Sequence, residues 1–340
     1  MTFTSENETR IAGLSVVLQP TNRIDITPLS CWLSELDPLP IWVPLARKNG
    51  VNKVLAVSSN LEQYPEILQY IFGQISQRTA VEWQGKFYEL TGVEVDNQEL
   101  HVLEIALFPS EPLPPSLGRA IHAQCLYWLT KAEPALAERL HASENFPLTL
   151  ALKPGSYPNQ MFLRIGVLQQ EILAPLLWGM SQDMGGEIAL THVSCRLGKW
   201  IDIKHLTSFA ALTQVPSQKV IELEFLSPTS FKQKQTIQPF PLPELTFSSL
   251  LRRWNAFAPA DFQMPQIDWQ AFTSAYDLKT VALRMKGGAE IGTKGWVRYE
   301  FPDREQAQFA TILAHFAGIA GVGRKTAMGM GQTRLLSLES

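Results

Sequence analysis

The sequence predicts an α+β fold in which a small α/β N-terminal extension precedes two tandem ferredoxin-like units. Three observations predict it. The chain has 340 residues, which is enough for two or three domains of roughly 100–200 residues each. Predicted strands and helices between residues 97 and 215 follow the order β-α-β-β-α-β, that of the split βαβ unit. The same order recurs between residues 216 and 340, although no residue-level repeat accompanies it.

Residues 1–96 form the extension. Strands are predicted over Leu14–Gln19, Lys53–Ser58 and Ala80–Leu90, and a helix over Leu61–Ile75 carries isoleucines at helical spacing. Prolines interrupt the segment before the second strand. No motif that carries chemistry is apparent in this region.

The first ferredoxin-like unit, 97–215, opens with the strand HVLEIALF, and the proline-rich PSEPLPPSLG after it is a loop. Helices and strands then alternate in the order stated, and Pro134 suits the first turn of the second helix. The predicted elements are helices Arg119–Lys131 and Ala135–Leu140, strands Leu148–Lys153 and Met161–Leu168, helix Ile172–Met180 and strand Glu187–Cys195.

The second unit, 216–340, repeats this plan around a predicted hairpin that encloses a cluster of glycines. Its predicted elements are strand Val220–Phe225, helix Leu245–Phe257, strands Leu278–Met285 and Gly295–Phe301, helix Arg304–Ala317 and strand Thr333–Leu338.

Composition disfavours several classes of protein. No stretch of about 18 apolar residues is free of charge or proline, so no membrane-spanning helix is predicted. The N-terminus, MTFTSENETR, is polar and acidic, unlike a signal peptide. Cys31, Cys125 and Cys195 are too widely spaced for a metal knuckle, and an odd, sparse set argues against a secreted disulfide scaffold. We therefore expect a cytoplasmic protein with no metal and no cofactor.

The net charge of −3 conceals an uneven distribution. Residues 1–96 hold 7 Lys and Arg against 11 Asp and Glu, and residues 97–215 hold 8 against 10. Residues 216–340 hold 14 against 11, a net charge of +3. Positive charge is therefore concentrated in the last third of the chain, where a local basic surface can follow phosphates.

A glycine-rich, basic segment follows the last predicted helix. Five of the 14 residues from Gly318 to Gly331 are glycine, and Arg324, Lys325 and Thr326 lie among them. Glycine permits positive φ and close approach, and exposed amides in such a loop hold phosphate oxygens. A tight helix-to-strand connection is the alternative. A nucleotide phosphate loop is disfavoured, because the G-x-x-x-x-G-K-[ST] spacing and a preceding strand are absent.

This segment resembles the C-terminal glycine-rich signature of the RAMP superfamily, specifically that of the CRISPR repeat-processing endoribonucleases. Further stretches in the family's order extend the resemblance over roughly residues 100–340, whereas residues 1–96 are not covered. These stretches are LGRAIHAQCLYWL at Leu117–Leu129, PALAERLH ending at His141, SPTSFK at Ser227–Lys232 and PLPELTFSSLLRRWN at Pro241–Asn255.

The resemblance implies two tandem ferredoxin-like domains of the RAMP or RRM-like type, and it implies a substrate. The substrate is CRISPR repeat RNA in a precursor transcript, which is cut into guide RNAs. The implied cut needs no metal: the 2′-hydroxyl attacks the adjacent phosphate, leaving 2′,3′-cyclic phosphate and 5′-hydroxyl ends. Neither DNA nor a membrane is an expected partner. The acidic extension is a candidate contact for other CRISPR effector proteins.

Histidine is the natural proton-transfer group for this reaction near neutral pH. The family pattern places a catalytic histidine at His141, just past a short helix whose dipole favours imidazolium. A surface loop histidine is the alternative. His122 is the second candidate, in the helix where other branches of the superfamily carry theirs, although apolar neighbours at helical spacing make packing at least as good an explanation. Tyr127 lies near the family's tyrosine position, but the lysine that follows the histidine in some relatives is missing.

Four other histidines carry no catalytic prediction: His101 and His315 have a structural character, and His192 and His205 are not assigned. For RNA binding we single out the loop and then three basic residues of the middle stretches. The set is Gly321, Gly323, Arg324, Lys325, Thr326, Gly329, Gly331, Lys232, Arg252 and Arg253. The alternative explanation of the arginine pair is that both residues lie on a solvated helix face beside a core tryptophan, Trp254.

Two alternatives stay open. The first is a non-catalytic RAMP subunit that coats guide RNA in an effector complex, which the glycine-rich segment fits equally well. The second is an unrelated ferredoxin-like protein that uses residues 1–96 to dock a partner.

Overall fold

The computed structural model describes residues 11–23, 27–34, 36–37, 39–46, 52–58, 60–114, 117–285 and 288–336. Two β-α-β-β-α-β units follow an N-terminal sheet in it, which confirms the predicted α+β class with tandem ferredoxin-like units. The exact division at residues 96 and 215 stays a prediction. Within the described ranges, no helix has the length and apolar character that crossing a bilayer requires.

Within its described residues, the N-terminal extension has a six-stranded sheet and one α-helix. The strands are β1 (Gly13–Pro20), β2 (Thr27–Pro28), β3 (Ile41–Pro44), β4 (Asn52–Val57), β5 (Ala80–Trp83) and β6 (Lys86–Asp96), and the helix is α1 (Tyr64–Ser76). They lie in the order β2-β5-β6-β1-β4-β3. The single strand predicted at Ala80–Leu90 is wrong, because Gln84 and Gly85 turn the chain with positive φ and separate β5 from β6.

At its β3–β4 edge, both faces of this sheet are buried, against different partners. Side chains alternate between the faces of a strand. Val54 and Ala56 of β4 therefore join the core under α1, whereas Leu55 and Val57 join the core of the first ferredoxin-like unit. The extension and the first unit thus share apolar packing across the boundary that the sequence predicts.

The first ferredoxin-like unit has five strands and three helices. They are β7 (Leu100–Pro109), α2 (Gly118–Ala132), α3 (Pro134–Ala142), β8 (Leu148–Pro154), β9 (Met161–Val167), α4 (Gln170–Ser181), β10 (Glu187–Leu190) and β11 (Val193–Thr207). The sheet order is β10-β11-β7-β9-β8, all antiparallel. The single strand predicted at Glu187–Cys195 is wrong, since a turn at Thr191, with φ of 62°, folds it into the β10–β11 hairpin.

Helix α4 is apolar on every side, and its position explains why. It packs against α2 and β9 of its own unit and against β3 and β4 of the extension. A helix covered on all sides needs no polar face. The N-terminal sheet that covers α4 therefore explains why this helix has no polar face.

The second unit is reached through the short α5 (Phe209–Thr213) and has a four-stranded sheet in the order β15-β16-β12-β17. Its elements are β12 (Val220–Thr229), the β13 (Phe231–Gln233) and β14 (Thr236–Gln238) hairpin, α6 (Pro243–Phe257), β15 (Phe272–Met285), β16 (Gly288–Glu300), α7 (Arg304–Ala320) and β17 (Thr333–Leu336). The predicted hairpin is confirmed and is longer than expected. The last two residues of the strand predicted at Thr333–Leu338 lie outside the described residues.

The end of α7 docks on the sheet of the first unit. The last carbonyls of a helix have no partner inside the helix. Here Thr149 Oγ1 donates to the carbonyl of Ile319 at 2.7 Å, and Arg164 Nη2 donates to the carbonyl of Gly318 at 2.6 Å. These bonds fix where α7 ends, and so fix where the glycine-rich segment begins.

Substitution of Thr149 by Val should lower the free energy of unfolding by about 1–2 kcal/mol, because it keeps the shape of the side chain but leaves a buried carbonyl without its donor. Urea denaturation measures the change. Thr130→Val, which removes an exposed hydroxyl bonded to its own helix, is the matched control and should cost less. Equal effects of the two substitutions would contradict this account of the docking.

Candidate functional site

The glycine-rich segment turns sharply where α7 ends. Gly321, Gly323, Gly329 and Gly331 all have positive φ, and so does Lys325 at 58°. A Cβ on Gly323 would overlap the carbonyl oxygen of Ser230, and one on Gly331 would overlap that of Val322. The glycines are therefore required by close backbone packing inside the protein.

Most of the loop's amides donate within the protein. Arg324 N bonds the carbonyl of Ser230 at 3.0 Å, and Gly331 N bonds that of Pro228 at 3.1 Å. Gly323 N bonds Ser249 Oγ at 2.9 Å. The predicted cradle of exposed amides is therefore wrong at these three positions, and the side chains of the loop become the candidate ligands for phosphate.

The two cations of the loop meet one carboxylate. Arg324 Nη1 lies 2.7 Å from Glu290 Oε2, and Lys325 forms an ion pair with the other carboxylate oxygen. The hydrogen bond from Lys325, with the charge of Arg324, holds the pKa of Glu290 below its ordinary value. Glu290 lies on β16, and no motif in the sequence linked it with a loop more than 30 residues away.

A cleft of about 250 Å³ lies beside these cations. Its walls come from three separate parts of the chain: residues 144–146, which follow α3, the side chains of Ser249, Arg252 and Arg253 on α6, and residues 323–327 of the loop. The structure thus brings the predicted arginine pair and most of the predicted loop residues to one place. Thr326 is buried in the cleft wall, whereas Lys232 is exposed on β13 and is not among the residues that line the cleft.

Arg252 and Arg253 have different roles. Arg252 is exposed at the cleft. Arg253 is only partly exposed, and desolvation lowers its pKa to about 10. Its Nη2 donates to the carbonyls of Phe146 at 3.1 Å and Leu148 at 3.4 Å, so it anchors the segment that follows α3. The solvated-face explanation fits Arg252 alone, and Trp254 is fully buried as expected.

His122 and His141 lie close together near this anchored segment. The ring of half-buried His122 on α2 is 4.5 Å from the ring of Phe146, which lines the cleft. Burial lowers the pKa of His122, and the charge of His141 lowers it further. His141 is exposed in the last turn of α3, which runs to Ala142 and is longer than predicted.

Tyr127 is not brought to the histidines by any described contact. It lies five residues after His122, about 7.5 Å further along α2 at 1.5 Å per residue. Its side chain is 52% exposed, and its ring lies 4.6 Å from Lys131 Nζ. Lys131 in turn pairs with Asp183 at 2.8 Å. The described contacts of Tyr127 therefore run toward the other end of the helix.

The remaining histidines lie apart from the cleft. His101 is fully buried, with Nε2 2.6 Å from Asp96 Oδ2, in keeping with a structural role. His205 is exposed on β11 and His315 is half-buried on α7, and partial desolvation is the main cause that lowers the pKa of each. His192 is exposed in the β10–β11 turn. Within the ranges the structure describes, no cluster of three His, Cys, Asp or Glu residues is arranged to hold a metal.

Comparisons with known proteins support the motif assignment. Residues 223–333 match the model of the family described as CRISPR-associated endoribonuclease Cas6. The predicted family resemblance is confirmed. Cas6 of Mycobacterium tuberculosis, in strains CDC 1551 and H37Rv, is 26% identical over 139 residues, which are 39% of this chain. The match spans 44% of the length of these curated relatives.

Solved Cas6 structures share the fold. A Cas6 product complex superposes with a TM-score of 0.62 at 24% identity, covering 70% of this chain and 100% of that chain. Thermus thermophilus Cas6 superposes with a TM-score of 0.55 at 23% identity, covering 71% of this chain and 100% of that chain. At this identity the likeness concerns the fold, and it supports the tandem ferredoxin-like architecture.

His141→Ala should raise the pKa of His122 toward its ordinary value of 6.5, because it removes a neighbouring positive charge, while burial still holds the pKa below that value. An NMR titration of the imidazole C–H signals measures the shift. His192→Ala removes an exposed histidine from a different part of the sheet and should leave the pKa of His122 unchanged. A His122 pKa that does not respond to His141→Ala would show that the two rings are not coupled.

Proposed function

We propose that this chain is an endoribonuclease that cuts CRISPR repeat RNA in the precursor transcript. The observation that carries the proposal is the pairing of two histidines, one half-buried and one exposed, beside a cleft lined with arginine and lysine. This arrangement fits a reaction that moves two protons and develops negative charge on a phosphate. Cas6 structures have been solved as product and substrate mimic complexes, which supports repeat RNA as the ligand.

In this mechanism the two histidines have separate roles. His122, whose pKa is lowered, is neutral near pH 7 and accepts the proton of the attacking 2′-hydroxyl. His141, exposed in the last turn of α3, is the proton donor to the departing 5′-oxygen. Arg324, Lys325 and Arg252 offset the charge of the phosphorane. The products are a 2′,3′-cyclic phosphate and a 5′-hydroxyl, and no metal takes part.

A second candidate function is a guide-RNA-binding subunit without activity. The position of Tyr127, away from the histidines, and the missing lysine favour it, because the family's pattern of catalytic groups is then incomplete. The basic cleft serves both functions equally. In either case, we propose that the extension, residues 1–96, contacts other CRISPR effector proteins.

Purified protein should cleave its own repeat RNA in the presence of EDTA. His141→Ala and His122→Ala should each reduce the single-turnover rate constant by about 100-fold or more, the usual contribution of general acid–base catalysis. On the acid side, the wild-type rate should fall only below pH 6.5, since protonation of His122 removes the base. His192→Ala is the control.

The outcomes separate the two candidate functions. Cleavage that requires Mg²⁺ would rule out the proposed chemistry. Tight binding of repeat RNA without any cleavage would favour the binding subunit.

Arg324→Ala together with Lys325→Ala should weaken binding of repeat RNA and flatten its dependence on salt. The slope of log K against log salt should fall by roughly 0.7 for each phosphate that is no longer neutralised. Glu290→Gln should act in the opposite direction and strengthen binding, because it removes the carboxylate that competes for both cations. Fluorescence anisotropy at several salt concentrations measures both effects.

Arg304→Ala removes an exposed cation at the other end of α7 and is the matched control for this pair. Unchanged affinity in the double variant would show that the loop does not hold RNA. Weaker binding in Glu290→Gln would show that Glu290 supports the loop rather than competing with phosphate.

A further inference from the structure

We infer that the groove between the N-terminal sheet and β11 binds single-stranded RNA, as a second contact outside the cleft. The groove has a volume of about 380 Å³. Its lining includes three aromatic side chains and two lysines: Trp83, Tyr88, Trp200, Lys53 and Lys199. The inference rests on the proposed function in one respect, since the ligand is taken to be the same transcript.

One wall of the groove is built by an irregularity in β11. Leu197 pairs with Leu107 and Ile201 pairs with Ile105, so three residues of β11 face a single residue of β7. A Cβ on Gly198 would lie 3.2 Å from the carbonyl oxygen of Ala106, tighter than ordinary contact. The extra residues stay in the strand but have no partner on β7, and Lys199 and Trp200 are both exposed.

The bulge exposes Trp200 to solvent, and a hydrogen bond to the extension fixes its position. Trp200 remains 56% exposed although the residues that pair on either side of the bulge are buried. The carbonyl of Ile201 accepts a hydrogen bond from Ala46 N at 2.8 Å, which joins β11 to the extension at the bottom of the groove. Bulges commonly re-aim a side chain next to a functional site.

The opposite wall is the β5–β6 turn of the extension. Gln84 and Gly85 both have positive φ, and Gly85 N donates to Glu82 Oε1 at 2.6 Å, so the turn is held in one conformation. It places Trp83 at the end of β5, half-exposed and facing the groove, whereas Tyr88, which also lines the groove, is buried in the core of the extension. Indole rings are thus presented from two independent parts of the chain.

The chemistry of the lining fits unpaired nucleotides. Bases stack on aromatic rings with little regard to sequence, and ammonium groups attract the phosphates between them. No carboxylate is among the described residues that line the groove. Lys53 pairs with Glu94, whose side chain is 58% exposed, so that carboxylate can be displaced toward solvent. A duplex keeps its bases stacked on each other, which selects for single strands.

The groove and the cleft lie toward opposite edges of one sheet. The cleft's loop packs on β8, and the groove lies on β11, three strands away in the order β10-β11-β7-β9-β8. At about 4.8 Å per strand this is roughly 14 Å. RNA that flanks a repeat held in the cleft can therefore reach the groove.

The test uses a fluorescently labelled oligouridylate of about ten nucleotides and measures its affinity by anisotropy. We expect Trp200→Ala and Trp83→Ala each to weaken binding by about tenfold, the usual contribution of one stacked base. Trp200→Phe should retain most of the affinity. Tyr157→Ala, which removes an aromatic side chain that is 72% exposed elsewhere, should have no effect. No binding by the wild type, or unchanged affinity in both tryptophan variants, would overturn the inference.

A second measurement separates this inference from the proposed function. Repeat RNA is offered with and without a single-stranded oligouridylate flank. Trp200→Ala should weaken binding only of the RNA that carries the flank. It should leave both binding and cleavage of the bare repeat unchanged. If the wild type does not cleave but Trp200→Ala still weakens oligouridylate binding, the proposed function fails and the groove stands. If Trp200→Ala instead impairs binding of another CRISPR protein and not of RNA, the groove is a protein interface and the inference fails.

Discussion

The close approach of the glycine-rich loop to the segment Pro228–Ser230 is the contact on which the cleft depends. The loop's amides at Arg324 and Gly331 are used there, and the glycines at 323 and 331 leave no space for a side chain. A loop tied down by its backbone points its side chains outward in a fixed direction. The same contact explains why the SPTSFK stretch and the glycine-rich segment occur together, because each needs the other's backbone.

The rest of the site is arranged around this fixed loop by bonds between the two ferredoxin-like units. Thr149 and Arg164 hold the last turn of α7, and Arg253 reaches from α6 to the carbonyls of Phe146 and Leu148. Each bond joins a side chain of one unit to a backbone group of the other. The segment beside the histidines therefore keeps its distance from the loop. A cleft formed between two units needs such ties, since neither unit contains it alone.

The sequence predicted the parts of the fold that local pattern determines. The order of strands and helices, the position of α7 and the loop after it follow from periodicity and from glycine. Contacts between residues that are far apart in the sequence do not follow from such local patterns. Glu290 is an ordinary carboxylate in the sequence, and only the folded hairpin brings it to Arg324 and Lys325. For the same reason the sequence did not reveal that Arg253 anchors the segment after α3. Arg252 beside it has the same chemistry and remains in solvent.

The extension shows the same limit at a larger scale. Its composition is separate from the rest of the chain and suggested an added region. In the structure one face of its sheet covers α4, which is apolar on all sides, and Leu55 and Val57 belong to the core of the first unit. Removing the extension would expose this apolar surface to water and destabilise the first unit, so a deletion would report on folding. The two groove residues that β11 supplies have no such role in packing: Trp200 and Lys199 are exposed, and their side chains can be changed without opening the core. Trp83 and Tyr88 of the extension also pack in its own core, so binding by the groove is separable from packing on the β11 side.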